Sequence, residues 1–327
     1  MPLIRLRRGW ELAERLATPE SVFLSRRRFL QTAALGTIAW ATGCRDRAEP
    51  GASRAARADA EATALSAPAF TGAYPAKRNA AFRLDRPLTE EAVANRYNNF
   101  YEFTSNKDVW RYVGRFRPWP WTIVTDGLVT KPQKWDVEQL VRTMPLEERL
   151  YRHRCVEAWA MAVPWTGFPL KALIERAKPL SSAKFARFVS FLRPAQAPGQ
   201  RNIRFPWPYF EALTMAEATN ELAFVVTGIY GHPLPVQHGA PLRLAIPWKY
   251  GYKSPKSIVK IEFVESQPAT FWNQLAPQEY GFESNVNPRV PHPRWSQATE
   301  RILGTNERRP TQLYNGYGEY VAALYNR

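Results

Sequence analysis

Residues 222–264 read LAFVVTGIYGHPLPVQHGAPLRLAIPWKYGYKSPKSIVKIEFV. This stretch contains three apolar runs, at residues 222–229, 241–246 and 257–264. Each run is short and is bounded by Gly or Pro, which predicts three strands joined by loops. No helical pattern of regular length separates them, so the stretch lacks the alternation of strand and helix that is typical of a doubly wound parallel sheet.

The chain on both sides of this stretch continues the mixture of short strands and short helices. Residues 121–129 predict a strand with an Asp126-Gly127 turn, residues 136–141 predict a helix with Asp136 as its N-cap, and a further strand leads into Cys155. Residues 168–176 and 209–218 predict helices, and residues 185–191 predict a strand. The predicted fold class is therefore α+β, with mixed, mostly antiparallel sheets. Neither G-x-G-x-x-G nor G-x-x-x-x-G-K-[ST] occurs, which disfavours nicotinamide and ATP chemistry.

The amino-terminal residues carry an export signal. Residues 25–31 read SRRRFLQ and precede an apolar run at residues 35–41, a pattern typical of twin-arginine signals. A membrane anchor is the alternative, but residues 29–41 fall short of the roughly 20 apolar residues that span a bilayer. We therefore expect the twin-arginine translocase to export the chain to the periplasm. That route carries proteins already folded around a cofactor.

This assignment divides the chain into three segments. Residues 1–44 are the signal segment, residues 45–69 are rich in Ala, Arg, Asp, Glu and Ser and predict a flexible linker, and residues 70–327 are the folded domain. Residues 41–44 read ATGC, so either Cys44 is lipidated as an anchor or cleavage falls later and removes it. In both cases Cys155 is the one cysteine left, which excludes an intramolecular disulfide and any Cys-x-x-Cys site.

The overall charge is strongly basic. Lys and Arg number 45 against 29 Asp and Glu, a formal net charge of +16, and residues 44–327 keep 38 basic and 26 acidic residues. No Lys/Arg-rich tract with interleaved aromatic residues occurs, so nucleic acid is not an expected partner. The charge instead predicts attraction of anionic groups, such as a phosphorylated cofactor, a lipid surface or an acidic protein.

Cys155 lies in the run RHRCVEAW at residues 152–159. A thiolate can be a nucleophile, a redox sulfur or a metal ligand, and a buried thiol can also be an inert part of the core. The basic residues before Cys155 favour a thiolate. A cysteine hydrolase or a zinc site would need histidines at a suitable spacing, and the four histidines, His153, His232, His238 and His292, fit no such pattern.

Three further runs combine aromatic, amide and charged residues in predicted loops. They are YNNFYEF at residues 97–103, QHGAPLR at residues 237–243 and PWKYGYKSPK at residues 247–256. Ordinary loop chemistry accounts for each of them alone. Together they predict the surroundings of a large, flat ligand that carries phosphate, with Arg243, Lys253 and Lys256 near the anion.

The chain resembles the MsrP family, the catalytic subunits of protein-methionine-sulfoxide reductases in the sulfite oxidase superfamily. The runs that carry the resemblance are those at residues 97–103, 154–159 and 247–251, together with PWTGFPL at residues 164–170, NVNP at 285–288 and HPRWSQATER at 292–301. The resemblance implies a sulfite-oxidase-like molybdopterin-binding catalytic domain at residues 70–327. In that domain molybdenum is held by the dithiolene of molybdopterin and by the thiolate of Cys155.

The resemblance also assigns the site residues. Cys155 is the metal ligand and is catalytic, and we add Glu157 as a second catalytic residue on our own hypothesis, given below. The cofactor contacts fall on Asn98, Tyr101, Glu102, Ser190, His238, Arg243, Ser254, Pro255 and Lys256. Among these, Ser190 takes the place of a Thr, His238 stands where one form of the family pattern has Asn, and Arg243 meets the phosphate.

The implied reaction is the reduction of methionine sulfoxide in exported proteins, with two electrons and two protons taken up and water released. The chain has no haem, iron–sulfur or flavin motif, and the resemblance assigns electron delivery to a membrane haem-binding subunit, MsrQ. We hypothesise that Glu157 lies near the metal and assists proton delivery. The alternatives are a sulfite-oxidase-like molybdoenzyme that acts on another S- or N-oxide, and a non-catalytic, lipid-anchored binding protein in which Cys155 is merely buried.

Overall fold

Twelve strands in two sheets carry the fold in the computed structural model, which describes residues 71–326. The predicted signal segment at residues 1–44, the predicted linker at residues 45–69 and Cys44 lie outside the described residues. No helix in the described part of the chain is long and apolar enough to cross a membrane.

The elements are short, as the spacing of Pro and Gly predicts. The strands are β1 (Thr122–Gly127), β2 (Gln133–Asp136), β3 (Glu147–Arg154), β4 (Trp159–Pro169), β5 (Phe185–Ser190), β6 (Phe210–Thr214), β7 (Phe224–Ile229), β8 (His232–Pro233), β9 (Arg243–Ala245), β10 (Ile258–Val264), β11 (Thr299–Ile302) and β12 (Arg308–Pro310). The α-helices are α1 (Glu91–Ala94), α2 (Val137–Thr143), α3 (Leu170–Ala177), α4 (Met215–Ala218), α5 (Phe271–Leu275) and α6 (Gly318–Val321). Single 3₁₀ turns lie at Thr71–Ala73, Val109–Arg111, Pro198–Arg201, Val236–His238, Gly251–Lys253, Leu313–Gly316 and Ala322–Leu324.

The two sheets are mixed but mainly antiparallel. One sheet has the order β2-β1-β10-β5-β6, and the other has β12-β11-β4-β7-β8 with β3 added beside β4 and β9 beside β7. Only the pairs β1–β10 and β11–β4 are parallel among the described strands. This arrangement confirms the predicted α+β class.

Strands β3 and β4 form the hairpin that positions Cys155. Their register runs from Glu147 opposite Gly167 to Arg154 opposite Ala160. Ten of the eleven residues of β4 are buried, because β3, β7 and β11 all pair with it in the middle of the sheet. The hairpin ends in a turn at residues 155–158, so the thiol stands where the buried strand β4 begins.

Five of the predicted strands and one predicted helix cap are present in the structure. The strands predicted around residues 121–129, 185–191, 222–229, 241–246 and 257–264 are confirmed as β1, β5, β7, β9 and β10, each somewhat shorter than predicted. The side chain of Asp136 accepts a hydrogen bond from the main-chain N–H of Gln139, which confirms the predicted N-cap of α2. The helix predicted from residue 168 begins at Leu170, since Phe168 and Pro169 still belong to β4.

One predicted helix is wrong in its first half. Residues 209–218 were expected to be helical, but Phe210–Thr214 is strand β6, which pairs with β5 at the edge of the five-stranded sheet. The residues from Phe210 to Leu213 are buried on both faces, so sheet pairing outweighs the helix preference of Glu, Ala and Leu. The helix starts only at Met215, where the Thr214 and Glu217 side chains form a capping box.

Candidate active site

The thiol of Cys155 lies at a cavity that is partly open to solvent and is lined by residues from the runs at 97–103, 153–161 and 251–256. The turn that carries it is closed by two main-chain hydrogen bonds, from Cys155 N to Trp159 O at 2.9 Å and from Ala158 N to Cys155 O at 3.0 Å. Ala158 has φ of +63°, a left-handed conformation that the tight turn requires. Only 5% of Cys155 is exposed.

The sulfur receives two N–H groups. The main-chain N–H of Glu157 lies 3.4 Å from Cys155 Sγ, and the Asn99 side-chain amide lies 3.5 Å from it. Burial nevertheless raises the pKa of Cys155 to about 12, and the negative charge of Glu157 adds to that rise, against the opposing effect of the Glu157 N–H, Lys107 and Arg154. The basic neighbours in the sequence therefore do not make a free thiolate here. A thiolate at this position needs a cation bound to it.

A segment from the far end of the chain holds this turn in place. The carbonyl oxygen of Val156 accepts hydrogen bonds from Trp295 Nε1 at 2.7 Å and from Gln297 Nε2 at 2.6 Å. The fully buried guanidinium of Arg154 contacts Gln297 Oε1 at 2.9 Å and pairs with Glu300 at 3.2 Å. Arg154 therefore anchors the strand end and does not project into the cavity.

One wall of the cavity comes from residues 97–103. Asn98 and Glu102 are buried, and the amide nitrogen of Asn98 donates to the carbonyl of Ala94 at 3.2 Å. Within the described residues, Asn98 Oδ1 and Asn99 Oδ1 are buried acceptors that have no hydrogen-bond partner. Unpaired buried acceptors are rare in folded proteins, so this wall is suited to a ligand that donates N–H groups.

The acidic residues of this wall differ in environment. Burial raises the pKa of Glu102, while the nearby Lys256 opposes the rise. Glu157 lies at the cavity with about a quarter of its side chain exposed, and its carboxylate pairs with Lys107 at 2.5 Å. Tyr101 donates its hydroxyl to Glu157 at 3.4 Å. The structure thus brings Tyr101 and Glu157 together beside the thiol.

Another part of the cavity lining is cationic. Arg243 is buried and donates to the carbonyl oxygens of Leu244, His238 and Ser254 at 3.0, 3.1 and 3.4 Å, without an ion pair to any described carboxylate. Burial lowers the pKa of Arg243 to about 9 and also lowers the pKa of Lys256, where the charge of Arg243 adds to the effect. Two partly uncompensated cations facing one cavity favour an anionic ligand.

The two histidines near this wall are neutral at pH 7. Burial holds the pKa of His153 well below its ordinary value and lowers the pKa of His238 to about 3, with Arg243 and Lys256 adding to both shifts. His153 lines the cavity and packs against Gly251, where a Cβ would lie 2.6 Å from His153 Nε2. The positive charge of the wall therefore rests on Arg243 and Lys256.

Most of the predicted cofactor contacts line the cavity. They are Asn98, Tyr101, Glu102, Arg243, Ser254, Pro255 and Lys256, together with the predicted catalytic residues Cys155 and Glu157. Ser190 and His238 lie behind the walls: Ser190 Oγ donates to the Lys256 carbonyl at 2.7 Å, and His238 Nδ1 lies 3.4 Å from Asn98 Nδ2. These two positions support lining residues, and their cofactor contact stays a prediction.

Lys253 does not lie near the expected anion. Its Nζ pairs with Glu211 at 2.7 Å and donates to the carbonyl of Ala212 at 2.8 Å. Both partners belong to β6 of the five-stranded sheet, so the ammonium group already has its contacts there. Lys253 is therefore not among the residues that line the cavity, whereas Lys256 is.

Several lining residues were not singled out from the sequence. They are Asn99, His153, Met161, Tyr209, Tyr252, Trp272 and Tyr280. Asn99 stands inside the amide-rich run at residues 97–103 and could have been selected there. Trp272 and Tyr280 lie far along the chain from the other runs, and nothing local marks them.

Comparisons relate the chain to known proteins. The family described as "Oxidoreductase molybdopterin binding domain" matches residues 112–272. The protein-methionine-sulfoxide reductase catalytic subunit MsrP of Burkholderia mallei is 47% identical over 315 residues, which are 94% of this chain and 91% of that protein. The MsrP of Ralstonia nicotianae is 45% identical over 328 residues, or 97% of this chain and 95% of that protein. The sulfane dehydrogenase SoxCD from Paracoccus pantotrophus covers 69% of this chain and 57% of its own, with a TM-score of 0.40 and 15% identity.

The fold is that of a molybdopterin-binding oxidoreductase. Within that class the chain belongs to the MsrP family of protein-methionine-sulfoxide reductase catalytic subunits, which confirms the resemblance seen in the sequence.

The residues of the cavity fit a molybdenum–molybdopterin cofactor. The described residues contain no group of three or more His, Cys, Asp and Glu side chains arranged to hold a metal ion. A cofactor that brings its own sulfur ligands needs only one soft protein donor, and Cys155 offers it. The unpaired acceptors of Asn98 and Asn99 suit the N–H groups of a pterin, and Arg243 with Lys256 suits its phosphate.

Proposed function

We propose that the protein reduces methionine sulfoxide in exported proteins, with Cys155 as the protein ligand of molybdenum. The observation that carries the proposal is that one buried thiol and two buried cations, Arg243 and Lys256, line the same cavity. In the reaction the sulfoxide takes up two electrons and two protons, its S=O bond breaks, and thioether and water are released. The bound cofactor supplies the two-electron chemistry.

The chain's own residues prepare the ligand and the cavity for this chemistry. The N–H groups of Glu157 and Asn99 point at Cys155 Sγ and would stabilise the charge of a ligating thiolate. Tyr101, Trp272 and Tyr280 give the cavity an aromatic side, with ring centroids 5.0 and 5.3 Å apart along that series. Aromatic edges suit the soft, apolar thioether that is formed from the sulfoxide.

The cellular setting is part of the proposal. The twin-arginine pattern at residues 25–31 supports export to the periplasm, followed either by lipidation of Cys44 or by cleavage beyond it. A membrane haem-binding subunit, MsrQ, then delivers the electrons, since the sequence has no haem, iron–sulfur or flavin motif. Basic surface near the cavity mouth would assist a transient contact with that subunit.

The experiment compares wild-type protein and Cys155→Ser, both purified from a host that makes the molybdenum cofactor. Wild-type protein is expected to contain molybdenum and pterin and to reduce protein-bound methionine sulfoxide. Cys155→Ser is expected to keep the far-ultraviolet circular dichroism of wild type while losing this activity. Wild-type protein without molybdenum or pterin, or full activity in the variant, would overturn the proposal.

Two further measurements test its finer parts. Oxidation of sulfite that outpaces the reduction of methionine sulfoxide would assign a different reaction to the same cofactor. Membranes with and without the haem-binding subunit, mixed with the purified protein and a quinol, should differ in turnover. Equal turnover with both membranes would exclude that subunit as the electron donor.

A further inference from the structure

Two loops that lie outside the cavity are joined into one strongly basic surface. They comprise residues 110–117, WRYVGRFR, and residues 192–207, LRPAQAPGQRNIRFPW, which together contain six arginines and no Asp or Glu. Arg193 Nη1 donates to the carbonyl of Arg117 at 2.9 Å, and the main-chain N–H of Arg117 donates to Gln196 Oε1 at 3.2 Å. We refer to residues 110–117 and 192–207 as the arginine-rich loops.

The same loops expose large apolar side chains. Ile203 is 97% exposed and Leu192 is 55% exposed, and Trp110 and Tyr112 are also exposed. Four of the nine exposed large hydrophobic residues in the described part of the chain therefore fall in two short segments. Single exposed apolar residues are ordinary, but their concentration among arginines marks an interaction surface.

The tip that carries Ile203 is held in a defined conformation. The carbonyl of Asn202 accepts from Trp207 Nε1 at 3.1 Å, and Asn202 Oδ1 accepts from the main-chain N–H of Arg204 at 3.1 Å. Arg201 Nε donates to the carbonyl of Pro194 at 3.0 Å. The loop thus presents Ile203 between two exposed arginines, and the described residues leave that side chain almost uncovered.

We propose that the arginine-rich loops bind an anionic lipid bilayer, with Ile203 and Leu192 entering the headgroup layer. Arginine forms paired hydrogen bonds with phosphate, and apolar side chains between basic ones are typical of surfaces that rest on anionic membranes. A side chain that projects freely enters a deformable layer readily, whereas a folded protein partner would need a matching pocket. The basic charge favours an anionic partner, and the free projection of Ile203 favours phospholipid over an acidic protein as that partner.

The neighbouring charges leave most of this basic surface uncompensated. Asp108 is the acidic residue that contacts it, through an exposed pair with Arg111 at 3.2 Å. Arg201 and Arg204 are exposed and pair with no described carboxylate within 4.0 Å.

The surface is continuous with a wall of the cavity. The main-chain N–H of Gln200 donates to the carbonyl of Glu102 at 3.2 Å, and the Phe205 ring lies 6.2 Å from the Tyr101 ring. Lipid contact at Ile203 would bring the Tyr101 side of the cavity towards the bilayer. The lipid contact stands independently of the proposed reaction, since its test measures binding alone.

The test is co-sedimentation of the cofactor-loaded full chain with vesicles. One set contains about 30% phosphatidylglycerol in phosphatidylcholine, and the other is phosphatidylcholine alone. We expect binding to the anionic vesicles at low ionic strength, little binding to the neutral ones, and release at about 0.5 M salt. Every protein compared carries the same residues 1–70, so any binding by those residues cancels between variants.

Two variants and two matched controls locate the contact. Arg201→Gln with Arg204→Gln should weaken binding about 20-fold, and Ile203→Ser about tenfold, with unchanged thermal midpoints because the side chains are exposed. Lys131→Gln with Lys134→Gln removes the same charge elsewhere, and Leu180→Ser removes another exposed apolar side chain. These controls should bind like wild type.

Three outcomes would overturn the proposal. They are absence of binding to the anionic vesicles, equal losses in the controls and the loop variants, and unchanged vesicle binding in both loop variants. If the loop variants keep vesicle binding but lose electron transfer from the detergent-solubilised haem-binding subunit, the surface is a protein interface and the lipid assignment is wrong.

Discussion

Gln297 donates its side-chain N–H to the main-chain carbonyl of Val156 across 2.6 Å. The same amide accepts a hydrogen bond from Arg154 Nη2 at 2.9 Å, so one side chain holds both sides of the turn at Cys155. Gln297 is 2% exposed. The position of the proposed metal ligand is thus fixed by a contact that spans nearly half of the chain.

We expect Gln297→Leu to loosen this turn. The variant loses two buried hydrogen bonds and leaves the Arg154 guanidinium less satisfied, which costs about 1–3 kcal/mol of unfolding free energy. Denaturant unfolding measures that loss, and the electron paramagnetic resonance of the loaded protein reports any change around the metal. Gln133→Leu, which removes one exposed hydrogen bond to the Arg176 carbonyl, is the control and should change neither readout. An unaltered resonance signal in Gln297→Leu would show that the side chain serves stability alone.

We expect the Ser190 hydroxyl to support the main chain of Lys256 beside the cavity. Its Oγ donates to the carbonyl of Lys256 at 2.7 Å, and Ser190 is almost fully buried. Ser190→Ala leaves that carbonyl unpaired and should lower the unfolding free energy by about 1–3 kcal/mol. Ser190→Thr keeps a hydroxyl at the position where the family pattern has Thr, and should retain wild-type pterin content. Loss of pterin in Ser190→Thr together with normal pterin in Ser190→Ala would contradict this role.

Glu157→Gln tests the proposed part of the carboxylate in turnover. Glu157 lines the cavity, and its carboxylate contacts Lys107 at 2.5 Å and Trp159 Nε1 at 3.3 Å. The amide keeps the size of the side chain but removes its charge, so we expect unchanged molybdenum content and a fall in turnover of about 10²-fold. Glu279→Gln changes a carboxylate that pairs with Arg294 and does not line the cavity, so it serves as the control and should keep wild-type turnover.

Lys107→Met tests whether the Glu157 carboxylate needs its ion pair with Lys107. It leaves Glu157 in place and removes an ion pair in which both side chains are about a quarter exposed, so we expect a smaller loss than in Glu157→Gln. Unchanged turnover and an unchanged pH profile in Glu157→Gln would show that the carboxylate takes no part in the reaction.

Local patterns predicted six of the twelve described strands and marked the loop runs that supply the cavity, while the family resemblance selected the individual cofactor residues. Neither predicted contacts made over long sequence distances. The runs at residues 97–103 and 247–256 combine amides, aromatics and cations within a few positions, and both supply cavity residues. The prediction that Lys253 lies near the anion was wrong, although it holds for the cavity position of its neighbour Lys256. Lys253 instead pairs with Glu211, which is 42 positions earlier in the chain. The hydrogen bonds of Gln297 to Val156 and Arg154 were not predicted either, because these residues are also far apart in the sequence.

Strand β4 shows a second limit of sequence reasoning. Its residues, WAMAVPWTGFP, contain two Pro and one Gly, so the run does not read as a central strand. These residues nevertheless form a strand, because β3, β7 and β11 pair with β4 along its length. Gly167 has no side chain, which lets the backbone of Val225 approach closely. The prediction for residues 209–218 shows the opposite error. Its first half contains helix-favouring residues, but they form strand β6 because they pair with β5.

Lys256 should act in opposite directions on the cofactor-free and the loaded protein. Its charge is unfavourable in the cofactor-free cavity, because burial and Arg243 hold its pKa below the ordinary value. Lys256→Met keeps the length of the side chain and removes that charge, while burial already raises the pKa of Glu102 and lets that carboxyl stay protonated. Cofactor-free Lys256→Met, made in a host that lacks the cofactor, is therefore expected to unfold at or above the wild-type temperature.

In the loaded protein the same change removes a cation from the proposed phosphate site. We expect pterin and molybdenum content to fall at least tenfold, since charge-assisted contacts to phosphate are among the strongest that a side chain makes. Lys260→Met removes an equal charge on β10, away from the cavity, and should leave the cofactor content as in wild type. A lower unfolding temperature in cofactor-free Lys256→Met, with normal cofactor content in the loaded form, would mean that Lys256 stabilises the fold through Glu102 and does not meet an anion.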